Sequence, residues 1–157
     1  MKVGIITVSD SCFKGERKDK SGKVIQEMVT NLGEVVEYRV VPDEEEFLRS
    51  TLLELVDEKK LDLILTTGGT GISPRDITPD VTEKVIEKRI PGFGELMRIK
   101  TFSSTPTSPL SRAISGVRKK SLIINLPGNP RAVKECLSLL LPLLPHALEM
   151  IQGLPHK

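Results

Sequence analysis

Residues 61–80 read LDLILTTGGTGISPRDITPD. The run 61–67 is apolar, of strand length, and ends in two threonines. A run of this kind is a strand buried on both faces. GGTGISPRD, at 68–76, is a loop by composition. Thr78-Pro79-Asp80 is a helix start, with Thr78 at the N-cap, Pro79 at N1 and an acid at N2. Strand, glycine-rich loop and helix in that order make half of a parallel β-α-β unit. The flanking sequence repeats the alternation.

Upstream, VGIITV at 3–8 is a second short apolar run. A polar stretch follows, and its Arg17, Lys18 and Lys20 read as a solvated loop. Val24, Ile25, Met28, Val29 and Leu32 recur at helical spacing, with Gly33 placed to close the helix from C′. Residues 35–41 form a Val-rich strand. Asp43 then stands where it can cap a helix, with Glu46 completing a capping box. That helix carries Phe47, Leu48, Leu52, Leu55 and Val56 on its apolar face.

Downstream, Val81, Val85 and Ile86 mark one helix and residues 93–102 another. Residues 114–117 and 122–126 read as strands separated by a basic Arg-Lys-Lys. Pro127-Gly128-Asn129-Pro130 turns into a last helix, which Pro142 and Pro145 should bend or break. The prediction is an α/β fold in three layers, a mostly parallel sheet with helices on both faces, forming one domain over 1–157.

Composition excludes several classes. Lys+Arg is 23 and Asp+Glu is 21, a net charge of +2, so no basic field invites nucleic acid. One Tyr, four Phe and no Trp leave few platforms for stacked bases. Cys12 and Cys136 have neither disulfide-framework nor zinc-site spacing. The first apolar run is too short for a signal peptide, and the C-terminal run LSLLLPLLPHALEMI falls short of the ~20 residues that span a bilayer. The expected setting is cytoplasmic, with no membrane partner.

In open α/β sheets, ligands bind beyond the carboxyl ends of the strands. Those ends carry Ser9 and Asp10, then Asp43, then Gly68, Gly69, Thr70, Gly71 and Asp76, and finally the turn 127–130. Three carboxylates and a glycine loop therefore converge on one edge. Carboxylates a few ångströms apart suit Mg²⁺, which takes oxygen ligands and bridges substrate phosphates. The glycine loop lacks the Lys-Ser/Thr of a phosphate-binding P-loop, and Pro74 breaks the dinucleotide fingerprint. Each acid also has a plain reading: Asp43 as a helix cap, Asp76 as a solvated loop acid, Asp10 as a turn residue. Ser111-Arg112 could donate to an anion. Cys12 lies near the cleft as an incidental thiol, and His146 and His156 show no partner pattern.

Four ordered segments, TTGGTGISPRDITPD, PGFGELMR, LSRAISGV and LIINLPGNPRAVKECL, resemble the MogA/MoaB family of molybdenum-cofactor biosynthesis. The likeness covers essentially the whole chain, and the LPGNP turn is most similar to the plant and gephyrin G domains. The resemblance implies a molybdopterin adenylyltransferase that transfers AMP from ATP to the molybdopterin phosphate and releases pyrophosphate with Mg²⁺. It implies catalytic and Mg²⁺-binding roles for Asp43 and Asp76 and places Ser111 in the molybdopterin site. Thr67, Gly68, Gly69, Thr70 and Gly71 are substrate-binding by the same likeness; Asp10, Pro127, Gly128 and Asn129 line the cleft. It also implies a homotrimer and a MoeA-type insertase as partner. Two other readings remain open: a non-catalytic molybdopterin carrier or scaffold, and a Mg²⁺-dependent nucleotide phosphohydrolase.

Overall fold

The computed structural model describes residues 1–154. Six strands form one sheet: β1 (Lys2–Val8), β2 (Glu34–Val41), β3 (Leu63–Thr67), β4 (Lys88–Arg89), β5 (Ser115–Arg118) and β6 (Ser121–Leu126), in the order β2-β1-β3-β6-β5-β4. β2, β1, β3 and β6 are parallel, while β5 runs antiparallel to both β6 and β4. The fold is thus the predicted mostly parallel α/β sheet with an antiparallel edge. The chain steps from β1 outward to β2 and then back across β1 to β3. That reversal makes the gap between the ends of β1 and β3 the topological switch point.

Strand alternation explains the two cores. Val3, Ile5, Leu63, Leu65, Leu122 and Ile124 pack on one face with α2 (Lys20–Met28), α5 (Pro91–Thr101), α6 (Pro130–Leu140) and α7 (Leu144–Ile151). Ile6, Val8, Ile64 and Ile123 pack on the other face with α3 (Glu45–Leu53) and α4 (Thr78–Val85). Successive side chains of a strand point to opposite faces, so a strand covered on both faces has no polar stripe.

Local readings are corrected where a distant partner intervenes. The polar stretch after β1 holds a short helix, α1 (Asp10–Phe13), capped by Ser9. α2 starts earlier than its apolar stripe, because Asp19 caps it by accepting from Gly22 N at 2.9 Å. Gly33 is not a left-handed cap. A side chain there would meet the Met1 carbonyl at 2.7 Å, so the position is small because two backbones approach closely. Phe47 is not on the buried face of α3; it is half exposed and meets Phe13 edge-on at 5.7 Å. β4 was not expected. Pro142 falls between α6 and α7, as predicted, whereas Pro145 sits in the first turn of α7, where its missing N–H costs nothing. His156 lies outside the described residues.

One buried polar network ties the sheet to α4. Asn125 on β6 is fully buried and donates to Thr66 Oγ1 and Thr82 Oγ1, both at 3.0 Å. Its Oδ1 accepts from Ile114 N at 3.2 Å, and Thr82 Oγ1 donates onward to the Thr78 carbonyl at 2.8 Å. An Asn125→Leu variant leaves the half-buried Ile114 N–H and the buried Thr66 hydroxyl without partners, at a cost of about 2–4 kcal/mol. Thermal unfolding should show Tm lowered by roughly 5–15 °C for a chain of this size; an unchanged Tm would contradict the network's role.

Candidate active site at the carboxyl edge of the sheet

Parallel register brings four strand ends level. Thr7 pairs with both Val40 and Thr67, and Thr67 pairs with Leu126. The next residues of each strand therefore emerge on one edge. After β1 and β2 the chain makes a reciprocal clasp: Asp10 N donates to Asp43 Oδ2, and Asp43 N donates to Asp10 Oδ1, both at 2.9 Å. Arg75, from the loop after β3, closes on Asp10 through Nε to Oδ2 (3.1 Å) and Nη2 to Oδ1 (2.9 Å). Asp43 is thus no helix cap. Glu44 takes the cap position of α3 without a side-chain bond.

The two acids diverge electrostatically. The Arg75 guanidinium, then the Asp43 backbone N–H, holds the Asp10 carboxyl below its usual range. Burial pushes Asp43 up, and the neighbouring charges of Asp10 and Asp76 add to the effect. Asp43 Oδ1 has no hydrogen bond among the described residues. Asp10 is neutralised in place, and Asp43 is the carboxylate left to act.

The glycine loop is shaped by close approach. Gly68 has φ +97°, and a side chain there would stand 2.4 Å from the Val8 carbonyl. Gly69 has φ +67°, and its absent Cβ would lie 2.4 Å from Thr78 Oγ1 and 3.2 Å from Asp43 Oδ1. Both conformations favour glycine. Thr78 is the first residue of α4, not its cap; Ile77 holds that position. Thr78 Oγ1 is the one buried side-chain polar atom without a partner among the described residues. It packs against Gly69, near Asp43 Oδ1.

Arg112 braces this loop rather than standing ready for an anion. Its Nε donates to the Gly71 carbonyl at 2.8 Å and its Nη2 to the Asp76 carbonyl at 2.7 Å, and it forks onto Asp80. Asp76 Oδ2 accepts from Ser73 N at 3.0 Å. Thr67 Oγ1 donates to the Pro127 carbonyl at 2.6 Å, which ties the end of β3 to the turn after β6.

Two recesses meet at this edge. A polar cleft of about 630 Å³ is lined by Ser9, Asp43, Thr67, Gly68, Gly69 and Asp76, together with Arg17, Lys18 and Lys20. A second cavity of about 350 Å³ is lined by Thr70, Gly71, Met97, Leu110, Ser111 and Pro127. Asp76, Gly128 and Asn129 border both. The structure therefore separates Ser111 from Asp43 and puts Asp76 between them. Asp10 stands behind the cleft, holding Asp43. Burial pushes the Cys136 thiol, at the second cavity, up to about 11, which leaves it protonated and unreactive at neutral pH.

Sequence reasoning missed Asp19, which accepts from Thr7 Oγ1 at 2.6 Å and from the Tyr38 hydroxyl. An acid three residues before Gly22, at a helix start, was the available signal. The basic run is exposed, as a solvated loop should be, and it also lines the cleft, with Lys20 opening α2.

A family model described as "Probable molybdopterin binding domain" matches residues 4–146. The chain belongs to this molybdopterin-binding family. It is 46% identical to the molybdopterin adenylyltransferase of Helicobacter pylori over 154 residues, covering 96% of this chain and 88% of that one. With the Escherichia coli K12 molybdopterin adenylyltransferase it shares 42% over 140 residues, covering 87% and 72%. Its fold superimposes on the crystal structure of the molybdopterin biosynthesis enzyme MoaB from Thermus thermophilus with a TM-score of 0.92, at 46% identity and 99% coverage of both chains.

Within this molybdopterin-binding domain, the divergent environments of the two clasped acids give a direct test. Asparagine at 43 keeps an oxygen for the Asp10 N–H and removes a charge that burial disfavours. Because the folded-state pKa of Asp43 is raised, its charged form weakens the fold above that pKa, and the penalty fades as pH falls towards 3.8, its ordinary value. Asp43→Asn should therefore unfold at or above the wild-type temperature at pH 7, with the difference shrinking in acid. A lower Tm at pH 7 would overturn this account of Asp43.

Proposed function

We propose that the protein is a molybdopterin adenylyltransferase: it transfers AMP from ATP to the terminal phosphate of molybdopterin and releases pyrophosphate. The observation that carries this reading is the pair of recesses sharing Asp76, Gly128 and Asn129. A transfer between two substrates needs two adjoining sites and one point where they meet. A hydrolase needs only one, plus a base to activate water. The family relatives named molybdopterin adenylyltransferase support the same choice.

The roles follow from the chain's own groups. Ser111 in the second cavity positions the pterin, and the polar cleft takes ATP. The pterin phosphate is already ionised at neutral pH, so no strong general base is required. The main barrier is repulsion between anions, which fixed dipoles and cations lower. Backbone N–H groups of the glycine loop orient the phosphates, held by Arg112 and Thr67 from behind. Asp10 and Arg75 keep Asp43 aimed into the cleft.

The donor set fits Mg²⁺. Asp43 offers a free carboxylate oxygen and Asp76 shares its cleft, while the described residues hold no group of three His, Cys, Asp or Glu that would cage a metal alone. Such a site suits a cation that completes its shell with phosphate and water. Asp43 and Asp76 would hold it, and when bound it supplies charge neutralisation to the phosphates.

The protein is further proposed to act in the cytoplasm as a homotrimer and to pass its product to a MoeA-type insertase. No helix among the described residues is long and apolar enough to cross a membrane. Ile99 and Phe102 are exposed at the C-terminal end of α5, apolar side chains that self-association would cover. Sedimentation at three chain masses is expected; a monomer would contradict the trimer.

The activity is tested by pyrophosphate release from ATP and Mg²⁺, with and without freshly prepared molybdopterin. Release should depend on the pterin, and Asp76→Asn should lower it by at least about 10²-fold while pterin affinity stays near wild type. Pterin binding without release would mark a carrier. Release without pterin would mark a phosphohydrolase.

A further inference from the structure

Arg17, Lys18 and Lys20 are the cleft's uncommitted positive charge. All three line it, and none of their side chains makes an ion pair or hydrogen bond among the described residues. The other arginines at this edge are engaged: Arg75 with Asp10, and Arg112 with the glycine loop and Asp80. The three cations are exposed and make no ion pair among the described residues, so they add little to the stability of the fold.

Their surroundings also favour an anion. The N-termini of α2 and α6 open on the same wall, through Asp19, Lys20 and Ser21 on one side and Asn129 and Pro130 on the other. Ser21 Oγ donates to the Gly128 carbonyl at 2.6 Å and holds the two helix ends together. Each helix adds partial positive charge to that wall. Asp43 and Asp76 also line the cleft, and Asp19 lies on the basic wall with its carboxylate taken up by Gly22 N, Thr7 Oγ1 and the Tyr38 hydroxyl, so the cleft carries both a cationic and an acidic flank. Asp76 borders the second cavity, and the basic run does not.

We propose that Arg17, Lys18 and Lys20 bind the β- and γ-phosphates of ATP and hold the departing pyrophosphate. The assignment rests on the adenylyl-transfer reading. In that step an oxygen of the pterin phosphate forms a bond to the α-phosphorus. The bond from the α-phosphorus to the α,β-bridging oxygen breaks, and that oxygen keeps the electron pair and leaves as part of pyrophosphate. In-line displacement puts nucleophile and leaving group on opposite sides of the phosphorus. A pterin in the second cavity enters past Asp76, so the leaving group points away from that border, towards the basic run.

The test is calorimetric titration of inorganic pyrophosphate, and separately of AMP, into the full chain. Three proteins are compared: wild type, Arg17→Gln/Lys18→Gln/Lys20→Gln, and a control with the same loss of charge elsewhere, Lys2→Gln/Lys88→Gln/Lys134→Gln. Pyrophosphate affinity should fall about tenfold or more in the first variant and by less than about twofold in the control. AMP affinity should stay near wild type in both, because AMP lacks the two phosphates concerned. The wild-type pyrophosphate affinity should weaken with added salt more steeply than the variant's. Undetectable pyrophosphate binding to wild type, equal binding by the first variant, or an equal loss of AMP binding would each overturn the proposal. The adenylyl-transfer reading fails separately: absent pterin-dependent release, with pyrophosphate affinity still dependent on the three cations, would sink the transfer and leave the anion site standing.

Discussion

The reciprocal bonds between Asp10 and Asp43 set up the rest of the site. Each acid uses one carboxylate oxygen to accept the other's backbone N–H, and so joins the ends of β1 and β2. Two carboxylates this close repel one another, and the clasp is tolerable because Arg75 forks onto Asp10 from the loop after β3. One arginine thus neutralises the supporting acid and leaves the other acid half-buried and facing the cleft. The three loops are coupled: moving any one of them shifts Asp43.

The sheet makes the clasp possible. Four parallel strands end in register, and the chain reverses its direction of growth at β1, so their loops must share one crevice. Rigid packing on both faces holds the strand ends, while Asn125, Arg112 and Thr67 hold the loops from behind. The precision of the site therefore comes from buried strands and committed side chains, and the groups free to meet substrate are few. That division suits a reaction whose difficulty is the placement of anions rather than proton transfer.

Much of this was legible in the sequence, for identifiable reasons. Continuous apolar runs gave the central strands, because a strand covered on both faces has no polar stripe. The glycine loop and the acids at strand ends marked the edge. What escaped was set by partners far along the chain. Asp43 looks like a helix cap to its neighbours; its true partner is 33 residues away. Arg112 looks free until it meets carbonyls 36 and 41 residues distant. Gly33 suggested a left-handed cap, whereas an approaching Met1 carbonyl requires it to be small. β4, only two residues long, forms because β5 offers it an edge. The separation of Ser111 from Asp43, with Asp76 between them, needed three-dimensional coordinates.

In the proposed transfer, AMP passes from one recess to the other at Asp76 without release to water. A single turnover with ATP labelled at the α-phosphate, quenched and resolved into pterin and nucleotide products, measures this directly. The label should appear on the pterin, in step with the pyrophosphate formed. Label recovered as free AMP, with unmodified pterin beside it, would contradict it.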